Sequence, residues 1–204
     1  MTRGKLFVIS GPSGTGKGTI CKELLDGEQD IKLSVSMTTR DPRDGEIDKV
    51  HYFFVEHDEF RTLIDADGFL EYAEVYGNFY GTPKQNVLDW MEQGIDVILE
   101  IDVQGGLQVK EALPESILIF ILPPSMSELK RRIVGRGTDT DEVISKRLGG
   151  ALNEISQIGK YDYAVVNDDI DVAVDNVNSI IKAERCKYSD EVVGRIVNKY
   201  KEEI

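Results

Sequence analysis

Apolar residues recur along this chain in two rhythms that take turns. Short runs of β-forming residues predict strands at 5–10 (KLFVIS), 33–37 (LSVSM), 50–55 (VHYFFV), 69–77 (FLEYAEVYG), 95–102 (IDVILEID), 116–122 (SILIFIL) and 163–167 (YAVVN). Between them, apolar residues at helical spacing predict helices. The first covers 18–26, where Ile20, Leu24 and Leu25 share a face; others cover 57–67, 82–94, 104–113, 125–136, 139–159 and 170–186. Two helix starts carry capping signals. Thr82 can cap 82–94, with Pro83 in its first turn and Gln85 completing a capping box, and Ser125 and Glu128 make a second box. The charged segment 187–204 is expected to be a helical tail.

Strands that alternate with helices predict an α/β fold around a parallel sheet. The aromatic stretch near 50–82 reads as an insertion with antiparallel pairing. A chain of 204 residues can bury one substantial core, and no repeat, low-complexity stretch or linker divides it. One domain with mobile lobes is the expectation. Apolar residues make up 41% and charged residues 30%, which suits a soluble globular protein. No apolar run approaches the ~18 residues of a membrane span, and the first residues do not read as a signal peptide. Two cysteines, Cys21 and Cys186, form no disulfide framework and have no metal-ligand spacing, so reduced thiols in a cytoplasmic protein are expected. The net charge of −13 argues against binding a nucleic acid polymer.

The chemistry begins directly after the first strand. Residues 11–19 read GPSGTGKGT, a variant of the G-x-x-x-x-G-K-[ST] phosphate loop, and the context of strand, glycine loop and helix is the one that motif needs. Gly11, Gly14 and Gly16 let backbone N–H groups curl around an anion, with Pro12, Ser13 and Thr15 completing the loop. Lys17 can reach the β- and γ-phosphates, and the helix N-terminus adds positive potential. The last slot, which helps to hold Mg²⁺, contains Gly18, and a hydroxyl follows one place late at Thr19. An ordinary glycine turn is the bland alternative, and it does not account for the lysine and helix that follow.

Basic islands in an acidic chain point to small anions. The loop SVSMTTRDPRDGE (34–46) carries Arg40 and Arg43 three apart among hydroxyls, an arrangement that can grip a phosphate through bidentate hydrogen bonds, with Glu46 placed to orient an arginine. The segment LKRRIVGR adds Arg131, Arg132 and Arg136, and Arg147 follows. A solvated helix face would suit Lys130 and Arg131, and Arg131 is read as a surface residue. It would suit the whole set poorly.

These motifs, together with GNFYGTP, EIDVQG, PPSMSELKRRIVGRGTDT and VVNDD, make the chain resemble the guanylate kinases over nearly its whole length. The resemblance implies a phosphate-loop NTPase-type parallel sheet with helices on both faces, a mixed-strand GMP-binding lobe and a helical lid. It places the core at about 1–33, 83–125 and 160–186, the lobe at about 34–82 and the lid at about 126–159. It implies transfer of a phosphoryl group from ATP to GMP, and to dGMP, with Mg²⁺. Residues 11–19 would hold ATP, with Asn167 near the adenine and Arg136 stacked on it. Ser36, Arg40, Arg43, Tyr52 and Tyr80 would hold the GMP phosphate; Glu71 and Thr82 would read guanine. Lys17, Arg132, Arg136 and Arg147 would surround the transferring group. Glu100 and Asp102 would sit near Mg²⁺ or the guanine, Asp102 being counted with the GMP residues, and Thr19 or a water would complete the metal shell.

Plainer roles stand beside these. Thr82 also suits a helix cap, Tyr52 and Tyr80 suit a core, and Glu100 and Asp102 suit solvated strand ends. The chain departs from the family at Lys49, where glycine is usual, and at His51 and Glu100, where aspartate is common. Two other readings are a catalytically inactive guanylate-kinase-like binding module and a kinase for another nucleoside monophosphate. Lys17 and the arginines speak against the first, and Glu71 favours guanine over adenine. A homodimer is a further expectation, since the tail suits an interface as well as a free helix.

Overall fold

The computed structural model describes residues 3–27, 30–75, 77–135, 141–188 and 190–203. In chain order the elements are β1 (Leu6–Ser10), α1 (Lys17–Gly27), β2 (Ile31–Leu33), β3 (Met37–Thr38), β4 (Phe53–Phe54), α2 (His57–Asp65), β5 (Phe69–Val75) and β6 (Asn78–Pro83). They continue with α3 (Lys84–Glu92), β7 (Asp96–Glu100), α4 (Val103–Ala112), β8 (Ile117–Leu122), α5 (Met126–Val134), α6 (Asp141–Ile155), a 3₁₀ turn (Ile158–Lys160), β9 (Tyr163–Val166), α7 (Ile170–Cys186) and α8 (Asp190–Glu202).

Five strands form a parallel sheet in the order β2-β7-β1-β8-β9. Both faces are covered, which is why its strands read as apolar runs without a polar alternate. Phe7 and Ile9 of β1 point to one face, where Ile98 and Ile119 meet Ile20 and Leu24 of α1 and Val177 and Ile181 of α7. Leu6 and Val8 point to the other, where Val97, Leu99 and Leu118 meet Val87 and Met91 of α3 and Val109 of α4. Each such side chain contributes about 1.5–3 kcal/mol by leaving water.

A second sheet, ordered β4-β3-β6-β5, is mixed: β3 and β4 run parallel, and the other pairs antiparallel. It has its own small core of Met37, Phe60 and Phe69. Phe60 stacks on Phe69 at 4.3 Å and on Phe79 at 5.3 Å between centroids. Leu129 and Ile133 of α5 close against Ile144 and Ala151 of α6 in a third cluster.

Several expected boundaries differ, each for a tertiary reason. The run 33–37 is two strands. Ser34 N donates to Ile98 O (2.9 Å) in the parallel sheet, while Ser36 O accepts from Phe53 N (2.9 Å) in the mixed one, so the chain changes sheets within three residues. Of 50–55, only Phe53–Phe54 is strand, because Val50 N and His51 N both turn back to Ile47 O. The helix expected from Thr82 starts at Lys84. Thr82 and Pro83 finish β6, and Pro83 occupies the cap position without a side-chain hydrogen bond. Ser125 does cap α5, accepting from Glu128 N (3.1 Å), but the Glu128 carboxylate turns to Arg131 and Arg132 instead of reaching back. The helix expected over 139–159 is described as Asp141–Ile155 and then yields to the 3₁₀ turn. In contrast, α7 spans the residues that its spacing predicts, and Asp169 caps it. No helix among the described residues is long and apolar enough to cross a membrane.

Candidate active site

The phosphate loop leaves β1 at the C-terminal edge of the parallel sheet and enters α1 at Lys17. Its path demands glycine at two points for reasons of space as well as conformation. Gly11 has φ 145°, and a Cβ there would lie 2.3 Å from Ile121 O of β8. Gly16 has φ 90°, and a Cβ there would lie 2.4 Å from Asn167 Nδ2. The loop carbonyls are held by polar side chains. Thr15 Oγ1 donates to Pro12 O (2.9 Å), and Lys17 Nζ donates to Gly11 O (2.7 Å) and Pro12 O (3.2 Å). From behind, Asn167 Nδ2 donates to Thr15 O (2.7 Å).

In front of the loop lies a cleft of about 590 Å³, lined by Ser13, Gly14, Lys17, Gly18, Thr19, Glu100, Asp102 and Glu154 among others. Burial pulls the Lys17 ammonium below its usual range, against the opposing fields of Glu100 and Glu154. Burial also raises the Glu100 carboxyl, with Lys17 opposing. A Cβ on Gly18 would come within 3.3 Å of Glu100 Oε1, so glycine in the expected hydroxyl slot leaves room for that carboxylate. Asp102 caps α4, accepting from Gly105 N (2.8 Å). No group of three or more acidic, His or Cys side chains among the described residues makes a metal cage. Few carboxylates beside a phosphate loop fit Mg²⁺, which keeps several waters and takes phosphate oxygens as ligands.

A second cationic centre sits on the mixed sheet. Both oxygens of Glu46 accept from Arg40 Nη2 (2.9 Å each), and Glu46 Oε2 also accepts from Arg43 N (2.8 Å). The Arg43 N–H, and then Arg40, hold the Glu46 carboxyl below the usual carboxylate range. The Arg40 guanidinium lies 5.7 Å from the Tyr52 ring centre, and Tyr52 meets Tyr80 edge-on at 6.1 Å. Ser36 is half-buried just before β3, and Arg43 is exposed. Ser36, Arg40, Tyr52 and Tyr80 thus lie on or beside three adjacent strands, β4, β3 and β6.

Glu71 and Thr82 are cross-strand partners in β5 and β6, which sets both side chains on one face. Both are buried, and Thr82 Oγ1 donates to Glu71 Oε1 at 2.6 Å. This is the use of Thr82 that displaces the expected helix cap. Burial raises the Glu71 carboxyl, the Thr82 hydrogen bond opposes, and Asp102 raises it further.

Among the described residues, Arg131, Arg132 and Arg147 differ in setting. Arg132 is partly buried, with Nε donating to Glu128 Oε1 (2.7 Å) and Nη1 to Asn167 O (3.0 Å). Asn167 therefore joins α5 to the back of the phosphate loop. Arg131 is 76% exposed and pairs with Glu128, as a surface residue should. Arg147 is exposed on α6 and does not line the phosphate cleft. Arg136 lies outside the described residues.

The sequence pattern of the guanylate kinase family matches residues 3–184. A guanylate kinase of Caldanaerobacter subterraneus subsp. tengcongensis is 56% identical over 91% of this chain and 90% of that protein. One from Clostridioides difficile is 52% identical over 99% and 98%. The crystal structure of guanylate kinase from Anaplasma phagocytophilum superposes with a TM-score of 0.73, at 38% identity, over 91% of this chain and 88% of that one.

The chain belongs to the guanylate kinase family.

Its departures from the family pattern are absorbed locally. Lys49 adopts φ 64°, the left-handed region that favours glycine, in a turn where its N–H donates to Tyr52 O (2.7 Å). His51 Nδ1 accepts from Ile47 N (3.0 Å), a bond that a carboxylate could also make. Two residues of the site escape sequence reasoning. Glu154 of α6 enters the phosphate cleft; the available signal was its place three residues after buried Ala151, beside the packed stripe. Tyr161 lies under the Asp102 turn, its hydroxyl pushed up to about 12 by burial, with Ser10 opposing.

The Glu71–Thr82 pair yields a test of its electrostatics. A carboxyl with a raised folded-state pKa binds its proton more tightly when folded, so stability falls as pH climbs from the unfolded pKa through the folded one. Thr82→Val removes the opposing hydrogen bond at nearly constant volume. A ¹³C titration of the Glu71 carboxyl is expected to show a higher midpoint in Thr82→Val than in the parent protein. An equal or lower midpoint would contradict the assignment.

Proposed function

We propose that this protein is a guanylate kinase in the enzymatic sense, transferring the γ-phosphoryl group of ATP to GMP, and to dGMP, in cytoplasmic purine nucleotide metabolism. The observation that carries this reading is the buried Glu71–Thr82 pair on the same small sheet as the Arg40–Glu46 clamp. A carboxylate can accept from both N1–H and the exocyclic amine of guanine, and adenine would leave it unpaired. That argues against another monophosphate kinase. An intact Lys17, hydrogen-bonded to the glycine loop, argues against an inactive binding module.

Residues 11–19 cradle the ATP phosphates, with Asn167 and Arg136 on the adenine side. Ser36, Arg40, Arg43, Tyr52 and Tyr80 hold the GMP phosphate. Glu71 and Thr82 read the base, with Asp102 beside them. The acceptor is already an anion, so no general base is required, and the work is positioning and charge neutralisation. Lys17, Arg132, Arg136 and Arg147 supply positive charge to the equatorial oxygens. The segments about 34–82 and 126–159 act as GMP lobe and lid, and lid closure keeps water from the γ-phosphate. Thr19, directly or through water, and Glu100 and Asp102 behind water would hold Mg²⁺, which supplies further charge neutralisation when bound with ATP.

The exposed stripe Val193, Ile196, Val197 and Tyr200 along α8 supports a homodimer in which a second copy covers it. Light scattering should give twice the chain mass, and a monomer after Ile196→Glu; a monomeric parent protein rules this out.

A coupled assay with ATP and each of GMP, AMP, CMP and UMP tests the activity. GMP is expected to dominate, with Mg²⁺ required; equal use of AMP would overturn the reading. Arg40→Met should lower kcat/KM for GMP by about a hundredfold or more, the scale of losing one positioned charged contact in a transition state, while ATP still binds. Equal loss of ATP affinity in a direct titration would show that Arg40 is misassigned.

A further inference from the structure

We infer that Gly105 is a specificity-determining position, whose missing side chain is the seat of the Glu71 carboxylate. The inference rests on the reading of Glu71 as the guanine reader. Gly105 is the third residue of α4, and its backbone is not in the left-handed region, so conformation alone does not call for glycine. Helix propensity in fact disfavours glycine there. Its N–H is already spent on Asp102 Oδ1 (2.8 Å). What remains is the space where a Cβ would stand. That point lies 3.1 Å from Glu71 Oε2, 3.4 Å from Glu71 Cδ and 3.4 Å from Ile101 Cδ1.

The Glu71 carboxylate is therefore located from two sides. Thr82 Oγ1 pins Oε1 at 2.6 Å, and the bare Cα of Gly105 admits Oε2. A methyl group at Gly105 must displace Oε2 by a few tenths of an ångström while Oε1 stays tethered, which tilts the carboxylate plane. Two parallel hydrogen bonds to a planar base edge tolerate such a tilt poorly. Three glycines in α6 and α8 provide the contrast. A Cβ on Gly149, Gly150 or Gly194 would meet nothing within 4 Å, so none of them makes room for a functional group.

Steady-state kinetics of Gly105→Ala, Gly194→Ala and Glu71→Gln test the inference. Gly105→Ala is expected to raise KM for GMP roughly tenfold, with kcat and KM for ATP within about threefold and a thermal midpoint no lower than the parent protein's, because alanine is the better helix former. Gly105→Ser is expected to do more, since its hydroxyl can donate to Oε2 and occupy the acceptor that guanine needs. Gly194→Ala should leave all kinetic values unchanged. A KM for GMP within twofold in both Gly105 variants would overturn the inference. So would parallel rises in both KM values with a lower thermal midpoint, which would mark a merely structural role. If Glu71→Gln leaves the preference for GMP over AMP intact, the reading of Glu71 fails, and this inference with it. If Glu71→Gln collapses that preference while the Gly105 variants bind GMP normally, only the role of Gly105 fails.

Discussion

The hydrogen bond from Asn167 Nδ2 to Thr15 O is the contact on which the site depends. A glycine loop that follows a strand has many available paths, and the conformational freedom that makes it useful also makes it costly to order. Here the freedom is removed by carbonyl capture. Thr15 and Lys17 hold Pro12 O and Gly11 O from within, and Asn167 holds Thr15 O from the end of the neighbouring part of the sheet. The same asparagine accepts Arg132 through its backbone oxygen. One residue thus fixes the phosphate loop and anchors α5 beside it. Gly16 suits its φ of 90°, and a Cβ there would crowd the Asn167 amide at 2.4 Å.

A second theme is that absent side chains make room for carboxylates. Gly18 faces Glu100, and Gly105 faces Glu71. The departure from the usual phosphate-loop motif at Gly18 therefore has a structural counterpart one strand away. Glu71 is buried and Glu100 stands at the exposed end of β7 against the cleft, and desolvation raises both carboxyls above their ordinary range. Such groups are poised to bind cationic or hydrogen-bond-donating ligands.

Much of this was legible in the sequence because local and tertiary preferences agree. Strand β1, the glycine loop and α1 follow one another as a motif, and α7 carries an uninterrupted amphipathic spacing that nothing in the fold contradicts. The Arg40–Glu46 contact followed from their shared loop. Where reading failed, a distant partner decided the outcome. Thr82 carries every local mark of a helix cap, yet Glu71 on the neighbouring strand takes its hydroxyl. The run 33–37 is locally one strand, but its two ends pair in different sheets. Glu154 is one acid on a long helix, and only the folding of α6 onto the phosphate cleft gives it a place there. The hydrogen bond from the Asn167 amide nitrogen to the loop joins residues far apart in the chain, and nothing in the local sequence marks it.

Titration calorimetry of Asn167→Ala with a non-hydrolysable ATP analogue and, separately, with GMP tests this account most directly. Removing the amide leaves Thr15 O buried without its donor, a loss of about 1–3 kcal/mol that should appear as roughly ten- to hundredfold weaker binding of the ATP analogue. GMP affinity should stay within about twofold, because the Arg40 clamp and the Glu71–Thr82 pair are built on the other sheet. Unchanged affinity for the ATP analogue in a folded Asn167→Ala protein would contradict the claim that this hydrogen bond sets the phosphate loop.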